Sequence, residues 1–182
     1  MQKLLIYNKG YSKTGKSKVL KAVFFRLVAE HGKLIQVKRL LHGSLDFYDT
    51  RDLGVIFTYR GILVGLESEG DPTGKYHEKA LAEFINESCE IIICACHTKG
   101  STINILKEQW KPVGDFIPVA CPHFVLPTKC VTGARPEEIY RRLSENYADA
   151  VIALIDMWID GVCQYDAKAH KEEMRNIKPE CF

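Results

Sequence analysis

Residues 10–17 of this chain, GYSKTGKS, constrain its fold more than any other segment, because they match the pattern G-x-x-x-x-G-K-[ST]. The two fixed glycines let the backbone curl so that successive N–H groups point inward at phosphate oxygens. Lys16 directs a positive charge at the same oxygens, and the hydroxyl of Ser17 is a ligand for Mg²⁺. The segment therefore predicts a binding loop for a nucleoside triphosphate and its magnesium ion.

The segments on either side of this loop have the periodicity of a strand and a helix. Residues 3–7 form an apolar run that ends at the loop, and apolar residues recur at helical spacing after it, as far as Gly32. A strand, a glycine-rich loop and a helix in this order aim the N-terminus of the helix at an anion. In this motif and its context, residues 1–31 resemble the P-loop NTPase superfamily.

The resemblance implies that the loop and the first helical turn hold the cofactor. The implied binding residues are Gly10, Tyr11, Ser12, Lys13, Thr14, Gly15, Lys16, Ser17 and Lys18. ATP and Mg²⁺ are the expected ligands. GTP is disfavoured, because no N-K-x-D motif occurs downstream and the element that looks like D-x-x-G has a glutamate, Glu67, in place of its aspartate.

Size and composition are those of an ordinary globular protein. The chain has 182 residues, 46% of them hydrophobic and 26% charged, which suits one compact domain. We expect a P-loop nucleotide-binding domain over residues 1–165 and a polar C-terminal tail over residues 166–182. No apolar run reaches membrane-spanning length, there is no signal-peptide core, and the seven cysteines are scattered, so we expect a cytoplasmic protein with reduced thiols and no membrane partner.

Charge is distributed unevenly along the chain. Residues 1–42 contain ten lysines and arginines but only one acidic residue, although the net charge of the whole chain is +2. A basic region around a phosphate loop suits a nucleoside triphosphate. It also suits nucleic acid, but no repeat of basic and aromatic residues accompanies it, so the nucleotide is the favoured partner.

The rest of the chain alternates between strand-like and helix-like segments. Strands are predicted at residues 33–38, 53–59, 62–67, 90–96 and 115–128, the last at an edge, and helices at residues 76–87 and 136–158. Arg60 and Gly61, between two of these strands, are typical of a hairpin turn. The pattern predicts an α/β fold, namely a P-loop NTPase-like three-layer sandwich with a mainly parallel sheet that contains one antiparallel hairpin.

Ligands of such sheets bind beyond the carboxyl ends of the strands, so the candidate catalytic groups are those that follow strands. Phosphoryl chemistry needs an acid near Mg²⁺ and a group that orients the nucleophile. We expect Asp71 to join Ser17 as a metal ligand and Glu67 to orient water or an acceptor hydroxyl. The alternative for either acid is that it caps the next helix or faces solvent. Thr98, after the strand at residues 90–96, is the candidate that senses the γ-phosphate, and Lys16 completes the catalytic set.

These residues favour a Mg²⁺–ATP-binding protein that acts on the γ-phosphate. We expect an ATPase or a nucleotide-dependent switch, with residues 42–52 and 68–76 as the loops that contact a protein partner. The first alternative is a small-molecule or nucleotide kinase, although residues 111–134 contain no arginine for a lid. The second alternative is a nucleotide-binding interaction module without turnover.

Overall fold

Six strands and three helices make up the part of the chain that the computed structural model describes, which is residues 3–10, 15–46, 49–70, 76–97, 116–122 and 136–161. The strands are β1 (Lys3–Gly10), β2 (Ile35–His42), β3 (Gly54–Tyr59), β4 (Ile62–Glu67), β5 (Ile91–His97) and β6 (Phe116–Pro122). The helices are α1 (Lys16–His31), α2 (His77–Asn86) and α3 (Pro136–Ile159), and a 3₁₀ turn covers Gly32–Leu34.

All six strands belong to one mixed sheet, in the order β2-β3-β4-β5-β1-β6. β1 pairs in parallel with β5 and with β6, and β5 pairs in parallel with β4. β3 is antiparallel to both of its neighbours, β2 and β4. Half of the sheet is therefore an antiparallel meander of β2, β3 and β4, and the phosphate-loop strand β1 lies in the other half.

This topology overturns the predicted fold class. Parallel neighbours need a crossover of a dozen or more residues, usually a helix. The described residues between β2 and β3 contain no helix, so β3 turns back beside β2 instead of crossing the sheet. The protein therefore has a mixed sheet with an antiparallel meander, and the prediction of a mainly parallel, P-loop NTPase-like three-layer sandwich with a single hairpin is wrong.

Several of the individual elements are confirmed. The β3–β4 hairpin turns at Arg60 and Gly61, whose φ angles of 50° and 84° are those of a turn with two left-handed residues. Helices α2 and α3 begin and end within one residue of their predicted limits, and β6 lies at an edge of the sheet. The predicted polar tail at residues 166–182 lies outside the described residues.

Each face of the sheet has its own apolar cluster. Leu4 and Ile6 of β1 pack on one face with residues of α1 and α3, whereas Leu5 packs on the other face with α2. This alternation follows from the period of two along a strand. Helix α3 is also bound to the hairpin turn, because Arg60 forms ion pairs with Asp156 and Asp160.

Replacing Gly65 with alanine is expected to destabilise the protein by about 1–3 kcal/mol, because it overpacks the contact between β4 and α2. A Cβ atom at this position would lie 2.4 Å from Cγ of the fully buried Phe84. Urea unfolding measures the effect as a lower midpoint at an unchanged slope. Gly32→Ala is the matched control, since nothing lies within 4 Å of its added Cβ. Equal midpoints for the two variants would contradict the prediction.

Candidate functional site

Gly10, the first residue of the G-x-x-x-x-G-K-[ST] pattern, lies at one edge of the sheet, which we call the carboxyl edge because the parallel strands β1, β4 and β5 all end there. Gly10 at the end of β1 is opposite His97 at the end of β5. The chain continues from these two adjacent strands toward opposite sides of the sheet. After β1 it goes to β2, on the side of the sheet where β5 lies, and after β5 it goes to β6, on the other side of β1. Such a reversal opens a crevice in which α/β sheets bind ligands.

The antiparallel meander brings further residues to the same edge. β3 runs against β4, so Gly54 at its start is opposite Glu67 at the end of β4. His42 at the end of β2 is in turn opposite Gly54. Residues that precede β3 are therefore as close to the carboxyl edge as residues that follow β4.

Helix α1 begins at this edge, directly after the second glycine of the pattern. Gly15 takes the N-cap position with φ of 86°, a left-handed conformation that favours glycine. Its carbonyl accepts a hydrogen bond from the amide of Val19 at 3.1 Å, which closes the first helical turn. The second glycine of the G-x-x-x-x-G-K-[ST] pattern thus has a backbone role here. Between Gly10 and Gly15, the predicted binding residues Tyr11, Ser12, Lys13 and Thr14 lie outside the described residues.

Lys16 is buried at the N-terminus of α1, with 6% of its surface exposed. Its side chain passes close to Gly70, in the loop after β4: a Cβ atom on Gly70 would lie 2.9 Å from Cε of Lys16 and 3.0 Å from Cβ of Ala95 in β5. The ammonium group and the N-terminus of the helix both favour a bound anion. Lys18, by contrast, is exposed.

Ser17 connects the first turn of α1 to the end of β4. Its hydroxyl donates a hydrogen bond of 2.9 Å to the carbonyl oxygen of Ser68, the residue that follows β4. A hydroxyl group has one proton and two lone pairs, and this bond uses the proton. The lone pairs of Ser17 are the part that suits Mg²⁺, which prefers oxygen ligands and is usually held by few protein groups together with phosphates and water.

Glu67 is fully buried and paired with His42. Its Oε2 atom lies 2.7 Å from Nε2 of His42, and its Oε1 atom accepts a hydrogen bond from the amide of Glu69. Burial raises the pKa of the Glu67 carboxyl, although the hydrogen bond from His42 opposes this shift. Burial disfavours the charged imidazole of His42, but the hydrogen bond and charge of Glu67 outweigh it and raise the pKa of His42. Tyr76 stacks on His42 with ring centroids 4.8 Å apart.

Helix capping, the alternative considered for Glu67, is done by another residue. Oε2 of Glu69 accepts hydrogen bonds from the amides of Tyr76 and His77 at the start of α2. Glu67 instead holds the loop through the amide of Glu69. Asp71, the predicted metal acid, and Thr98, the predicted γ-phosphate sensor, lie outside the described residues.

Two buried polar side chains near the ends of these elements have no hydrogen-bond partner within the described part of the chain. Asn8 of β1, two residues before Gly10, is fully buried with both amide atoms unpaired. It lies on the same face of β1 as Leu4 and Ile6, the face that α1 covers. His77 is also fully buried, with both ring nitrogens unpaired. Unpaired buried groups of this kind cost stability and are common at functional sites.

The stability of the protein is expected to fall by about 1.4 kcal/mol for each pH unit below 6.5 because of His77. Burial lowers the pKa of His77 from 6.5 to about 4. Between these values the unfolded chain takes up a proton that the folded protein does not, so the loss begins below 6.5 and is complete below about 4. Urea unfolding of wild type and His77→Leu at pH 5 and 7 measures it, and the gap in stability between the two pH values should narrow in the variant. His31→Gln is the control; an unchanged gap in His77→Leu would contradict the assignment.

The structure brings together Lys16, Ser17 and the residues that follow β4, and it adds residues that the sequence did not single out. The added residues are Lys21, His42, Asp52 and Ser68. The sequence did contain a signal for Asp52, namely the β3–β4 hairpin. In any hairpin, the residues before the first strand lie beside the residues after the second, which here places Asp52 beside Ser68. Arg60, by contrast, is at the opposite end of the hairpin, where it is bound to α3.

Cys94 and Cys96 are buried side chains of β5, and burial raises the pKa of Cys94 well above its usual value. Among the described residues, no group of three or more His, Cys, Asp and Glu side chains is arranged to hold a metal ion by itself. Nor is any helix in the described segments long and apolar enough to cross a membrane. No protein-family model matches this chain, and neither a curated protein nor a solved structure matches it.

Proposed function

We propose that this protein binds Mg²⁺–ATP at residues 10–17 and acts on the γ-phosphate, as an ATPase or a nucleotide-dependent switch. The observation that carries the proposal is the placement of Lys16 and Ser17. Both stand at the N-terminus of α1, at the carboxyl edge of the sheet, against the loop that follows β4. A lysine, a hydroxyl and the N–H groups of a helix N-terminus together are what a metal-bound phosphate group requires.

Each of these groups has a separate role in the proposed chemistry. The amide groups at the start of α1 and the ammonium of Lys16 bind and orient the phosphate oxygens. Ser17 offers oxygen lone pairs to Mg²⁺, which neutralises charge on the phosphates when it is bound. The basic character of residues 1–42 adds long-range attraction for a triphosphate.

A switch is supported by the contacts between α1 and the loops around it. Lys21 in the second turn of α1 donates hydrogen bonds to the carbonyl oxygens of Asp49 and Arg51. Ser17 in the first turn binds Ser68. The two loops that we propose to contact a partner are residues 42–52 and 68–76. Both contain residues that are hydrogen-bonded directly to α1, the helix that follows the proposed phosphate loop. A kinase and a binding module without turnover remain the alternatives.

Nucleotide binding and phosphate release, measured side by side, test this proposal. Wild type and the exposed-lysine control Lys33→Ala are titrated with Mg²⁺–ATP and Mg²⁺–GTP, and Asp71→Asn is added as a test of the metal acid. Binding with phosphate release by wild type indicates an ATPase. Binding with release only when an acceptor hydroxyl compound is added indicates a kinase, and binding without release indicates a switch or module. No binding of either nucleotide would overturn the proposal.

A further inference from the structure

We propose that Ser68 and Asp52 are positioning residues for Ser17, so that Mg²⁺ at Ser17 is linked to residues 49–53, which we call the clamp segment. The inference rests on the proposed function, because it concerns the metal of the same site. It differs from the sequence-based prediction, which placed the metal acid after β4. In this arrangement the additional carboxylate comes instead from the residue just before β3.

Ser68 is the centre of the arrangement, and all of its polar groups are used. It is fully buried. Its carbonyl accepts the proton of Ser17, and its amide donates to the carbonyl of Leu53 at 2.9 Å. Its hydroxyl accepts from the amide of Leu53 at 2.8 Å and donates to Oδ1 of Asp52 at 3.1 Å. A buried residue whose polar groups are all paired holds its partners in one geometry, so the position of Ser17 is tied through Ser68 to that of Asp52.

The clamp segment is also held from its other side. The ammonium of Lys21 donates to the carbonyl oxygens of Asp49 and Arg51, and the side chain of Lys21 is nearly buried. Asp52 therefore lies between two attachments, one to α1 through Lys21 and one to β4 through Ser68. Two attachments leave its carboxylate little freedom, which is what a charge that acts on a neighbouring ion needs.

The chemistry of these groups fits a divalent cation. Ser17 gives its only proton to Ser68, which turns its lone pairs toward a ligand and fixes its orientation. Asp52 accepts the hydroxyl proton of Ser68 and adds negative charge near the start of α1, where Lys16 and the helix N-terminus are positive. Asp52 acts on Ser17 through Ser68, whose hydroxyl bonds the carboxylate and whose carbonyl bonds Ser17. A carboxylate bonded to a metal ligand typically changes metal affinity by about 10–100-fold, and this less direct link corresponds to the lower end of that range.

The antiparallel direction of β3 is the reason that Asp52 reaches this position. β3 starts opposite the end of β4, so the residues before it arrive at the carboxyl edge. In a wholly parallel sheet, the residue before a strand would lie at the far edge. The mixed topology therefore supplies the site with a carboxylate that the usual rule of strand ends does not find.

The test compares the requirement for Mg²⁺ with the intrinsic affinity for ATP. The ATP dissociation constant of wild type, Asp52→Asn and Ser68→Ala is measured in excess Mg²⁺ and in EDTA, and the half-saturating Mg²⁺ concentration is measured at fixed ATP. We expect Asp52→Asn to raise this concentration by about tenfold, with ATP affinity in EDTA unchanged within about twofold. Asp46→Asn, which removes a charge from an exposed site in the same loop, should behave as wild type.

Hydrogen exchange gives a second readout that does not depend on turnover. In wild type, Mg²⁺–ATP should slow exchange of the Leu53 amide, which donates to Ser68, and the slowing should be lost in Asp52→Asn. Urea unfolding shows that each variant is folded. If wild type binds ATP but Asp52→Asn has the Mg²⁺ requirement of wild type, the inference is wrong and the proposed function stands. If wild type binds no nucleotide under either condition, the proposed function is wrong and the inference falls with it.

Discussion

Replacing Lys16 with methionine is expected to weaken Mg²⁺–ATP binding by about 10–100-fold while leaving the protein folded. A hydrogen bond to a charged group contributes about 1.5–3 kcal/mol, and each 1.4 kcal/mol changes a dissociation constant tenfold. Methionine keeps the apolar stem that passes Gly70 and Ala95, so the packing of this buried position is preserved. Isothermal titration with Mg²⁺–ATP measures the change.

Two controls make the Lys16 result interpretable. Lys33→Met removes the same charge from an exposed position outside the site and should bind ATP as wild type does. Gly70→Ala keeps the lysine but places a Cβ atom 2.9 Å from its Cε atom, so it should displace the side chain and weaken binding too. Equal affinities of wild type and Lys16→Met would rule out the phosphate site at residues 10–17.

Replacing His42 with leucine is expected to destabilise the protein by about 3 kcal/mol at pH 7, or to lower Tm by about 6–12 °C. The buried Glu67 carboxylate would lose its partner at 2.7 Å and, within the described part of the chain, keep the hydrogen bond from the amide of Glu69. Breaking a buried pair costs more than removing both of its members, so the double variant with Glu67→Gln should recover part of the loss. Thermal and urea unfolding measure both effects.

The pH dependence of the His42 effect has a defined sign. Burial raises the pKa of Glu67 above its ordinary value of 4.5 even beside His42, and loss of the opposing hydrogen bond and charge of His42 raises it further. The folded variant therefore keeps its proton to a higher pH than folded wild type does, so its stability falls further than that of wild type as the pH rises above about 4.5. In wild type, the raised pKa of His42 stabilises the folded protein. This stabilisation is complete below pH 6.5 and is lost as the pH rises through the pKa of His42 in the folded protein. The gap between wild type and variant should therefore widen from pH 4.5 to pH 6.5. A gap of constant size would contradict the pairing, and His42→Gln, which keeps a donor, should show a smaller one.

The elements of the fold were predictable where local sequence decides them. The hairpin is encoded by Arg60-Gly61 between two apolar runs, because two left-handed residues form the turn that suits strand twist. Helix α3 is encoded by the 3.6-residue repeat of its apolar side chains and by Pro136 at its start. The mixed direction of the strands was not predictable in the same way. It depends on which strand β2 pairs with, and no short-range pattern in residues 33–38 specifies that partner.

The candidate site, too, has a part that local sequence encodes and a part that depends on contacts between distant residues. Lys16, Ser17 and the left-handed Gly15 follow from eight consecutive residues, since a tight loop before a helix is a local structure. The pairing of His42 with Glu67 joins residues 25 positions apart, and the bond between Ser17 and Ser68 joins residues 51 positions apart. Side chains that meet only through strand register leave no spacing signal in the sequence, so these contacts could not be foreseen.

The sequence by itself determined the phosphate-loop pattern, the hairpin and the positions of most helices and strands, because backbone conformation and apolar periodicity act over a few residues. Only the tertiary structure decided that β2, β3 and β4 form an antiparallel meander. The β3–β4 hairpin alone brings Asp52 beside Ser68, but only the pairing of β2 with β3 brings His42 beside Glu67 at the carboxyl edge. The physical reason is that strand pairing is set by burial of whole faces and by backbone hydrogen bonds between distant segments. Both the burial and these hydrogen bonds depend on the assembled sheet, and no single stretch of the chain determines them.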